Sequence, residues 1–296
     1  MTPFREDCLA GKSILVTGGG GGLGREITAA LAAHGAMVHI CGRREGLLQE
    51  TAAKLQAETG SKIVPHGCDI RDPAAIDAML DGIWSERPLT GLVNNAAANF
   101  IAPTKSLSPR GYDTIRSTVM DGTFYMTLAV GKRWIEGDLP GAVVSNLVTW
   151  VWTGSPFVVP SAMAKTAIHA MTMSLAVEWA GYGIRLNATA PGPFPTEGAW
   201  EKLSPVPGTK ASATSDDQVP MRRYGRMHEL QNLLIFLMAD GCDYLTGQTI
   251  AIDGGHHLAA PSTFADLAEL SDETWAEARE AIRATSARDK AQRTTS

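Results

Sequence analysis

A run of glycines near the start of the chain has the composition of a phosphate-binding loop. Positions 18–24 hold six glycines and one leucine, and the residues that we expect to contact a ligand are Gly18, Gly20, Gly21, Gly22, Leu23 and Gly24. Glycine permits positive φ and lets backbone amides approach an anion closely, and the helix that begins near Leu23 directs its partial positive charge at the same anion. We therefore expect this loop to bind the pyrophosphate of a dinucleotide.

Two arginines follow the second apolar segment of the chain, at 43 and 44. Folds that bind NAD usually place an acidic residue here, against the 2′-hydroxyl of the ribose. This chain has Arg43 and Arg44 instead. A guanidinium group stays charged and donates paired hydrogen bonds to phosphate oxygens. The two residues therefore favour NADP(H), which carries a 2′-phosphate, over NAD(H).

Short apolar segments alternate with longer segments of helical periodicity along most of the chain. The predicted strands are 14–17, 37–41, 63–68, 91–94, 142–147, 184–190 and 249–253. The predicted helices are 23–34, 46–59, 73–85, 109–136, 156–180 and 227–240. Because parallel strands need crossover connections, this alternation predicts an α/β fold: a doubly wound, Rossmann-type, seven-stranded parallel sheet with helices on both faces. Such folds bind ligands at the carboxyl ends of the strands.

The length of 296 residues suits a single domain with an extension. We expect a Rossmann-type cofactor-binding and catalytic domain at 1–262. Its proline-rich segment 191–220 is too long for an ordinary connection and is predicted to be a substrate lid. A C-terminal helical extension is expected at 263–287, with its helical pattern at 264–282. Residues 288–296 are expected to form a disordered, charged tail.

The overall composition argues against several classes of protein. A net charge of −5 does not supply the basic face that nucleic acid requires. Apolar runs are shorter than the roughly 18 residues of a membrane span, and the first residues lack a secretory signal. The cysteines and histidines show no metal-ligand spacing. We expect a cytoplasmic enzyme with a small-molecule substrate, no metal, no nucleic-acid partner and no membrane association.

Five elements, taken in order, resemble the short-chain dehydrogenase/reductase family over nearly the whole chain. They are the glycine run, Asp69, residues 94–97, Lys165 and the segment after strand six. The resemblance implies that Lys165 bonds the nicotinamide ribose and that the protein is a homotetramer joined through helices 109–136 and 156–180. It also implies cofactor contacts from residues that follow three strands: Asp69, Ile70, Asn95, Ala96, Ala97, Pro191, Gly192, Pro193 and Phe194.

The chain departs from the family at its usual acid catalyst. Most members have a tyrosine four residues before the lysine, whereas this chain has Ser161. The segments 94–101, 154–161 and 191–193 look like those of mitochondrial-type 2,4-dienoyl-CoA reductases. In that branch a serine occupies the position of Ser161 and an asparagine at the position of Asn99 holds the thioester carbonyl. The active-site tyrosine of the branch precedes the lysine by fifteen residues, where this chain has Trp150.

These residues lead to a hypothesis about the reaction. Hydride delivery to an unsaturated thioester produces an enolate, which needs hydrogen-bond donors at its oxygen. The amide of Asn99 and the indole N–H of Trp150 are such donors, and water ordered by Lys165 would supply the proton. We therefore expect an NADPH-dependent reductase of an α,β-unsaturated acyl-CoA or similar thioester. Three alternatives stay open: Trp150 as a plain pocket wall, a carbonyl or hydroxysteroid-type dehydrogenase with relocated acid catalysis, and an NADP-binding protein with impaired catalysis.

Overall fold

A seven-stranded, fully parallel sheet organises the part of the chain that the computed structural model describes, residues 2–196, 216–259, 267 and 270–294. Its strands are β1 Ser13–Thr17, β2 Met37–Gly42, β3 Ile63–Gly67, β4 Gly91–Asn94, β5 Gly141–Asn146, β6 Ile184–Pro191 and β7 Thr249–Ile252. Their order in the sheet is β3-β2-β1-β4-β5-β6-β7. The predicted sheet is confirmed, and each strand boundary lies within one residue of its predicted position.

Helices cover both faces of the sheet. They are α1 Gly22–Ala33, α2 Glu45–Thr59, α3 Pro73–Glu86, α4 Pro109–Ile115, α5 Gly122–Glu136, α6 Trp150–Thr153, α7 Val159–Glu178, α8 Met227–Met238, α9 His256–Ala259 and α10 Asp272–Thr294. One apolar core joins α1, α2 and α8 to the sheet, and a second core joins α3, α5 and α7 to its opposite face. Strand β1 serves both cores, because Ile14 and Val16 point to the first and Leu15 to the second.

The long helix predicted at 109–136 is interrupted in the structure. A π-helical turn at Arg116–Asp121 separates α4 from α5. An ion pair of 2.5 Å between Arg116 Nη1 and Asp121 Oδ2 spans this turn. The carboxylate of Asp121 is therefore held by Arg116 of the same helix. A π turn inserts one residue and shifts the apolar positions after it by one, and the prediction of a single continuous helix did not take this shift into account.

The end of the chain differs from the prediction. Helix α10 spans Asp272–Thr294, whereas a helix at 264–282 and a disordered tail from 288 were expected. Its sequence contains neither glycine nor proline and is rich in alanine, arginine and glutamate, which favour a helix beyond position 287. Trp275 of this helix packs on Phe157, with ring centroids 4.7 Å apart. Residues 197–215, most of the predicted lid, and residues 260–266 lie outside the described residues.

Candidate active site

The glycine run forms a tight cradle between β1 and α1. Gly18 and Gly22 have φ of +67° and +51°, which a residue with a side chain rarely adopts. A Cβ on Gly18 would lie 3.1 Å from the Cα of Ala96. A Cβ on Gly24 would overlap the carbonyl oxygen of Gly18 and lie 2.6 Å from Nδ2 of Asn95. The backbone around these positions is therefore close-packed, and the N–H groups that begin α1 face the carboxyl edge of the sheet, as an anion site requires.

Hydrogen bonds join the carboxyl ends of four adjacent strands beside this cradle. The hydroxyl of Thr17 accepts the backbone N–H groups of Asn95 and Ala96, each at 3.0 Å. The amide of Asn95 donates to the carbonyl of Thr17 at 3.2 Å, and its oxygen accepts from Asn146 Nδ2 at 3.1 Å. The hydroxyl of Thr189 in turn donates to Asn146 Oδ1 at 3.1 Å. This network fixes the loop after β4 against β1, β5 and β6 without a bound ligand.

Lys165 reaches the same edge from α7. Its side chain is buried, and Nζ donates to the backbone carbonyl of Asn146 at 2.5 Å. Burial lowers the pKa of Lys165 to about 8. Ser161, one helical turn earlier, is also buried in the first turn of α7. The structure therefore brings Lys165 to the network, and it gives the position four residues earlier a small hydroxyl in place of an ionisable phenol.

Charged residues surround the ends of β2 and β3. Asp69 and Arg71 form a two-pronged ion pair, with Nε–Oδ1 at 2.9 Å and Nη2–Oδ2 at 2.5 Å. The hydrogen bond from Arg71 lowers the pKa of Asp69, and the charge of Arg43 lowers it further. The guanidinium of Arg44 lies 4.0 Å from the Cβ position of Gly21. Arg44 thus lies beside the cradle, and Arg43 and Arg71 lie near Asp69. Arg71 was not predicted, although its spacing of two residues from Asp69 is visible in the sequence.

The segment after β6 packs against the end of β7. Gly192 donates its N–H to the carbonyl of Ile252 at 3.0 Å, and a Cβ at Gly192 would lie 2.6 Å from Cβ of Asp253. Pro193 accepts a hydrogen bond from the N–H of Gly225 through its carbonyl. Phe194 is buried and joins the core under α1, α2 and α8. The backbone of this segment thus lies at the carboxyl edge, while the ring of Phe194 points into the core.

Two other predicted cofactor residues differ in their burial. Ile70 is buried, and a Cβ on Gly122 of α5 would lie 2.7 Å from its Cγ1. Ile70 can therefore offer a cofactor little more than its backbone. Ala97 is exposed after β4, where its small side chain leaves the edge of the sheet open.

The two side chains predicted to donate hydrogen bonds to the thioester oxygen lie in different surroundings. Asn99 is exposed in the segment after β4. Trp150 begins α6 and is half-buried, and it packs against the cluster that holds Ile101, Val158 and Trp275. Trp150 therefore forms part of an apolar wall that links the loop after β5 to the C-terminal extension. This packing supports its interpretation as a wall, and it is compatible with a donor role for the indole N–H.

A cluster of aromatic and ionisable side chains beside this wall was not predicted from the sequence. His257 Nδ1 lies 2.7 Å from Asp253 Oδ2. The ring of Trp152 lies 4.9 Å from the ring of His257 and 6.2 Å from that of His169, which bonds the hydroxyl of Thr249 at 2.8 Å. The signal available in the sequence was the four-residue spacing of Asp253 and His257, which places the two on one side of a turn.

Two further findings concern the described part of the chain. It holds no group of three or more His, Cys, Asp or Glu residues arranged to bind a metal ion. None of its helices is both long and apolar enough to cross a bilayer.

Comparison with known proteins identifies the class to which this fold and site belong. A family model described as enoyl-(acyl carrier protein) reductase matches residues 19–257. A short-chain dehydrogenase from Bacillus anthracis has a similar structure, with a TM-score of 0.74 and 34% identity over 83% of this chain and 96% of that one. The chain therefore belongs to the short-chain dehydrogenase/reductase family of oxidoreductases.

Individual relatives narrow the comparison further. A probable 2,4-dienoyl-CoA reductase of Caenorhabditis elegans is 38% identical over 292 residues, which cover 97% of this chain and 94% of the relative. A probable 2,4-dienoyl-CoA reductase of Bacillus subtilis is 36% identical, covering 83% of this chain and 97% of the relative. A gluconate 5-dehydrogenase of Burkholderia cenocepacia, solved with NADP and tartrate, has a TM-score of 0.78 at 28% identity, covering 86% of this chain and 99% of that one. The resemblance inferred from the sequence is confirmed.

Proposed function

We propose that this protein reduces an α,β-unsaturated acyl thioester, of the 2,4-dienoyl-CoA or enoyl-CoA type, with NADPH. The observation that carries the proposal is the pairing of a buried Lys165 at the cofactor edge with Ser161, where most family members have a tyrosine. A serine does not exchange a proton with an alkoxide near neutral pH, so simple alcohol or ketone chemistry is disfavoured. The relatives named as 2,4-dienoyl-CoA reductases support this substrate class.

The preference for NADPH follows from the charges beside the cradle. Arg43 and Arg44 follow β2 with no acidic residue between them and the strand. Arg71 is paired with Asp69, which offsets its charge, so the guanidinium groups of Arg43 and Arg44 carry the preference. Such a group suits the 2′-phosphate of NADPH and would not be needed for NADH. The gluconate 5-dehydrogenase of Burkholderia cenocepacia described above was solved with NADP, which supports this preference.

The residues of the site would have the following roles in this reaction. NADPH, when bound, supplies a hydride from C4 of its nicotinamide. The cradle at 18–24 would hold its pyrophosphate, and Lys165 would bond the nicotinamide ribose. Asn99 and the indole N–H of Trp150 would donate to the thioester oxygen as negative charge develops there. Water ordered by Lys165 would carry a proton to the substrate carbon.

The test is the loss of NADPH absorbance on rapid mixing with a dienoyl-CoA and with an enoyl-CoA. We expect consumption with a thioester and a loss of about 10²-fold or more in turnover for Lys165→Met, because a buried positioning cation is removed. Lys132→Met, at an exposed position of α5, is the matched control. Tight NADPH binding without consumption of any such thioester would contradict the proposal and favour a protein with impaired catalysis. Consumption of NADPH with a ketone, or formation of NADPH from NADP+ with an alcohol, would instead favour the carbonyl or hydroxysteroid type.

We also propose that the protein is a cytoplasmic homotetramer joined through α5 and α7. Large apolar side chains on these helices are exposed in the single chain, among them Phe124, Met163, Met173 and Val177. Burial of such a surface against a second copy would be favourable. Light scattering should give four times the chain mass, and Val177→Glu should lower it. A monomeric wild-type protein would contradict the tetramer, and recovery of the protein in an organelle fraction would contradict the location.

A further inference from the structure

Asp253 and His257 form an oriented pair at the carboxyl edge of the sheet. Asp253 follows β7 directly, and its Oδ2 lies 2.7 Å from His257 Nδ1. Burial raises the pKa of Asp253, but hydrogen bonds from the backbone and ring of His257 and from Gly255 N–H lower it by more, so its pKa lies below the ordinary value. The carboxylate is therefore charged at neutral pH. It fixes the tautomer with a proton on Nδ1, which leaves Nε2 as the atom that can exchange a proton with its surroundings.

The pair lies between the segment that follows β6 and Trp152 of α6. On one side Asp253 packs against Gly192, because a Cβ there would lie 2.6 Å from Cβ of Asp253. On the other side the ring of Trp152 lies 4.9 Å from the ring of His257, tilted by 30°. Trp152 belongs to the same short helix as Trp150, at the wall proposed to hold the thioester. The imidazole thus lies between the segment after β6 and α6, the short helix that also carries Trp150.

The reaction proposed above lacks a side chain that can supply a proton. Ser161 replaces the usual tyrosine, and the indole N–H of Trp150 donates hydrogen bonds without releasing its proton. An imidazole exchanges a proton readily near neutral pH. In the described structure the ionisable groups around the His257 ring are Asp253 in contact, His256 as its chain neighbour and His169 across Trp152.

We infer that His257, oriented by Asp253, is the acid that supplies the proton of the reductive step. This inference rests on the proposed function. The hydride brings an electron pair to the unsaturated thioester and leaves an enolate. A proton leaves Nε2 of the imidazolium and reaches the enolate carbon through the water near Lys165, where it forms the new C–H bond. The neutral imidazole then regains a proton from solvent, so charge and atoms balance without a further reactant.

A purely structural role for the pair makes a different prediction. Asp253 also accepts backbone N–H groups of Gly255, at 3.0 Å, and of His257, at 2.8 Å, and so stabilises the turn into α9. If this were its whole function, removal of the imidazole would loosen the turn and the adjacent Gly192 segment. Cofactor affinity and thermal stability would then fall together with turnover, and no small molecule could restore the rate.

The experiment compares His257→Gln with His228→Gln, which changes a histidine in the first turn of α8. Gln can keep a hydrogen bond to Asp253 but cannot deliver a proton. We expect His257→Gln to lower turnover with a dienoyl-CoA by about 10²-fold, as for loss of a general acid. NADPH affinity, followed by fluorescence, should stay within about twofold. Added imidazole should restore part of the rate of His257→Ala in a concentration-dependent way, because this truncation opens space for it, with little effect on wild type or on His228→Gln.

Each outcome bears on one of the two proposals. Wild-type turnover in His257→Gln, or a loss in His257→Ala that imidazole does not rescue, overturns the assignment of His257 and leaves the reductase proposal intact. A wild-type protein that consumes no NADPH with any unsaturated thioester overturns the proposed function and the inference with it. If His257→Gln does not fold, the rescue of His257→Ala by imidazole decides the matter.

Discussion

Acid should destabilise this protein through two histidines far from the candidate site. His39 of β2 and His66 of β3 share a hydrogen bond of 2.9 Å between Nδ1 and Nε2, and their rings stack 5.2 Å apart. His39 is 2% exposed. Its Nε2 is buried with no hydrogen-bond partner in the described structure. Burial, with a smaller contribution from the charge of His66, lowers the pKa of His39 from 6.5 to about 4.

The size of the effect follows from that shift. Below pH 6.5 the unfolded chain binds a proton that the folded chain takes up only near pH 4, so stability falls as the pH falls between these values. At about 1.36 kcal/mol per unit, the difference between 6.5 and about 4 corresponds to about 3 kcal/mol below pH 4. Between about pH 7.5 and pH 5 the loss is about 2 kcal/mol. His66, whose pKa burial also lowers, adds a loss of the same sign.

Urea unfolding at these two pH values measures the effect, with His39→Gln compared with the wild type. The variant cannot titrate at this position, so its free energy of unfolding should fall by about 2 kcal/mol less than that of the wild type. Ile63→Val, on the neighbouring strand, is the control. It removes one buried methylene, about 1 kcal/mol at either pH, and should leave the pH dependence unchanged. Equal losses in His39→Gln and wild type would refute the assignment of the acid sensitivity to His39.

Three further predictions concern the cofactor and the substrate wall. Arg43→Asp should weaken the binding of NADPH by about 10²-fold and that of NADH far less, because it replaces a hydrogen-bond donor to the 2′-phosphate with a negative charge that repels the phosphate. Unchanged selectivity in fluorescence titration would mean that Arg43 does not contact the 2′-phosphate. Gly24→Ala should weaken the binding of NADPH by more than about tenfold, since the Cβ of the new alanine would lie 2.6 Å from Nδ2 of Asn95. Gly46→Ala, with open space around its Cβ, should bind normally and be as stable or more so. Trp150→Phe keeps the aromatic wall but removes the N–H, so turnover should drop by about tenfold or more and be regained in Trp150→Tyr; unaltered turnover in the Phe variant would make Trp150 a wall only.

Strands and the cofactor cradle could be predicted from the sequence because their signals are local. A buried parallel strand reads as a short apolar run, and the glycine run lies immediately after β1. The topology then brings the carboxyl ends together, which explains why Gly24 and Asn95 meet although they are far apart in the chain. The π-helical turn at Arg116–Asp121 was missed, because the one-residue shift that it causes in the apolar positions was not taken into account. The start of α10 was missed, because it has no marker in the apolar periodicity.

The substrate side was harder to predict, because its contacts join distant parts of the chain. Trp150 was singled out for its place before Lys165, but its packing against Trp275 of the extension depends on the course of the whole chain. The same is true of Asn146, whose side chain joins Asn95 to Thr189. The sequence alone assigned His257 no role, because the role proposed for it depends on its contacts. These are with Trp152 of α6 and with Asp253, which follows β7.

The contact between Phe157 and Trp275 has a consequence for the order in which the protein is assembled during translation. The cradle packs on Asn95 and Ala96, and α1 shares its core with α8, so the cofactor site is complete once the chain has been synthesised through α8. The wall around Trp150 is completed only when α10, more than a hundred residues later in the sequence, has been synthesised and has docked. A nascent chain therefore completes its cofactor site before it completes the wall of its substrate site.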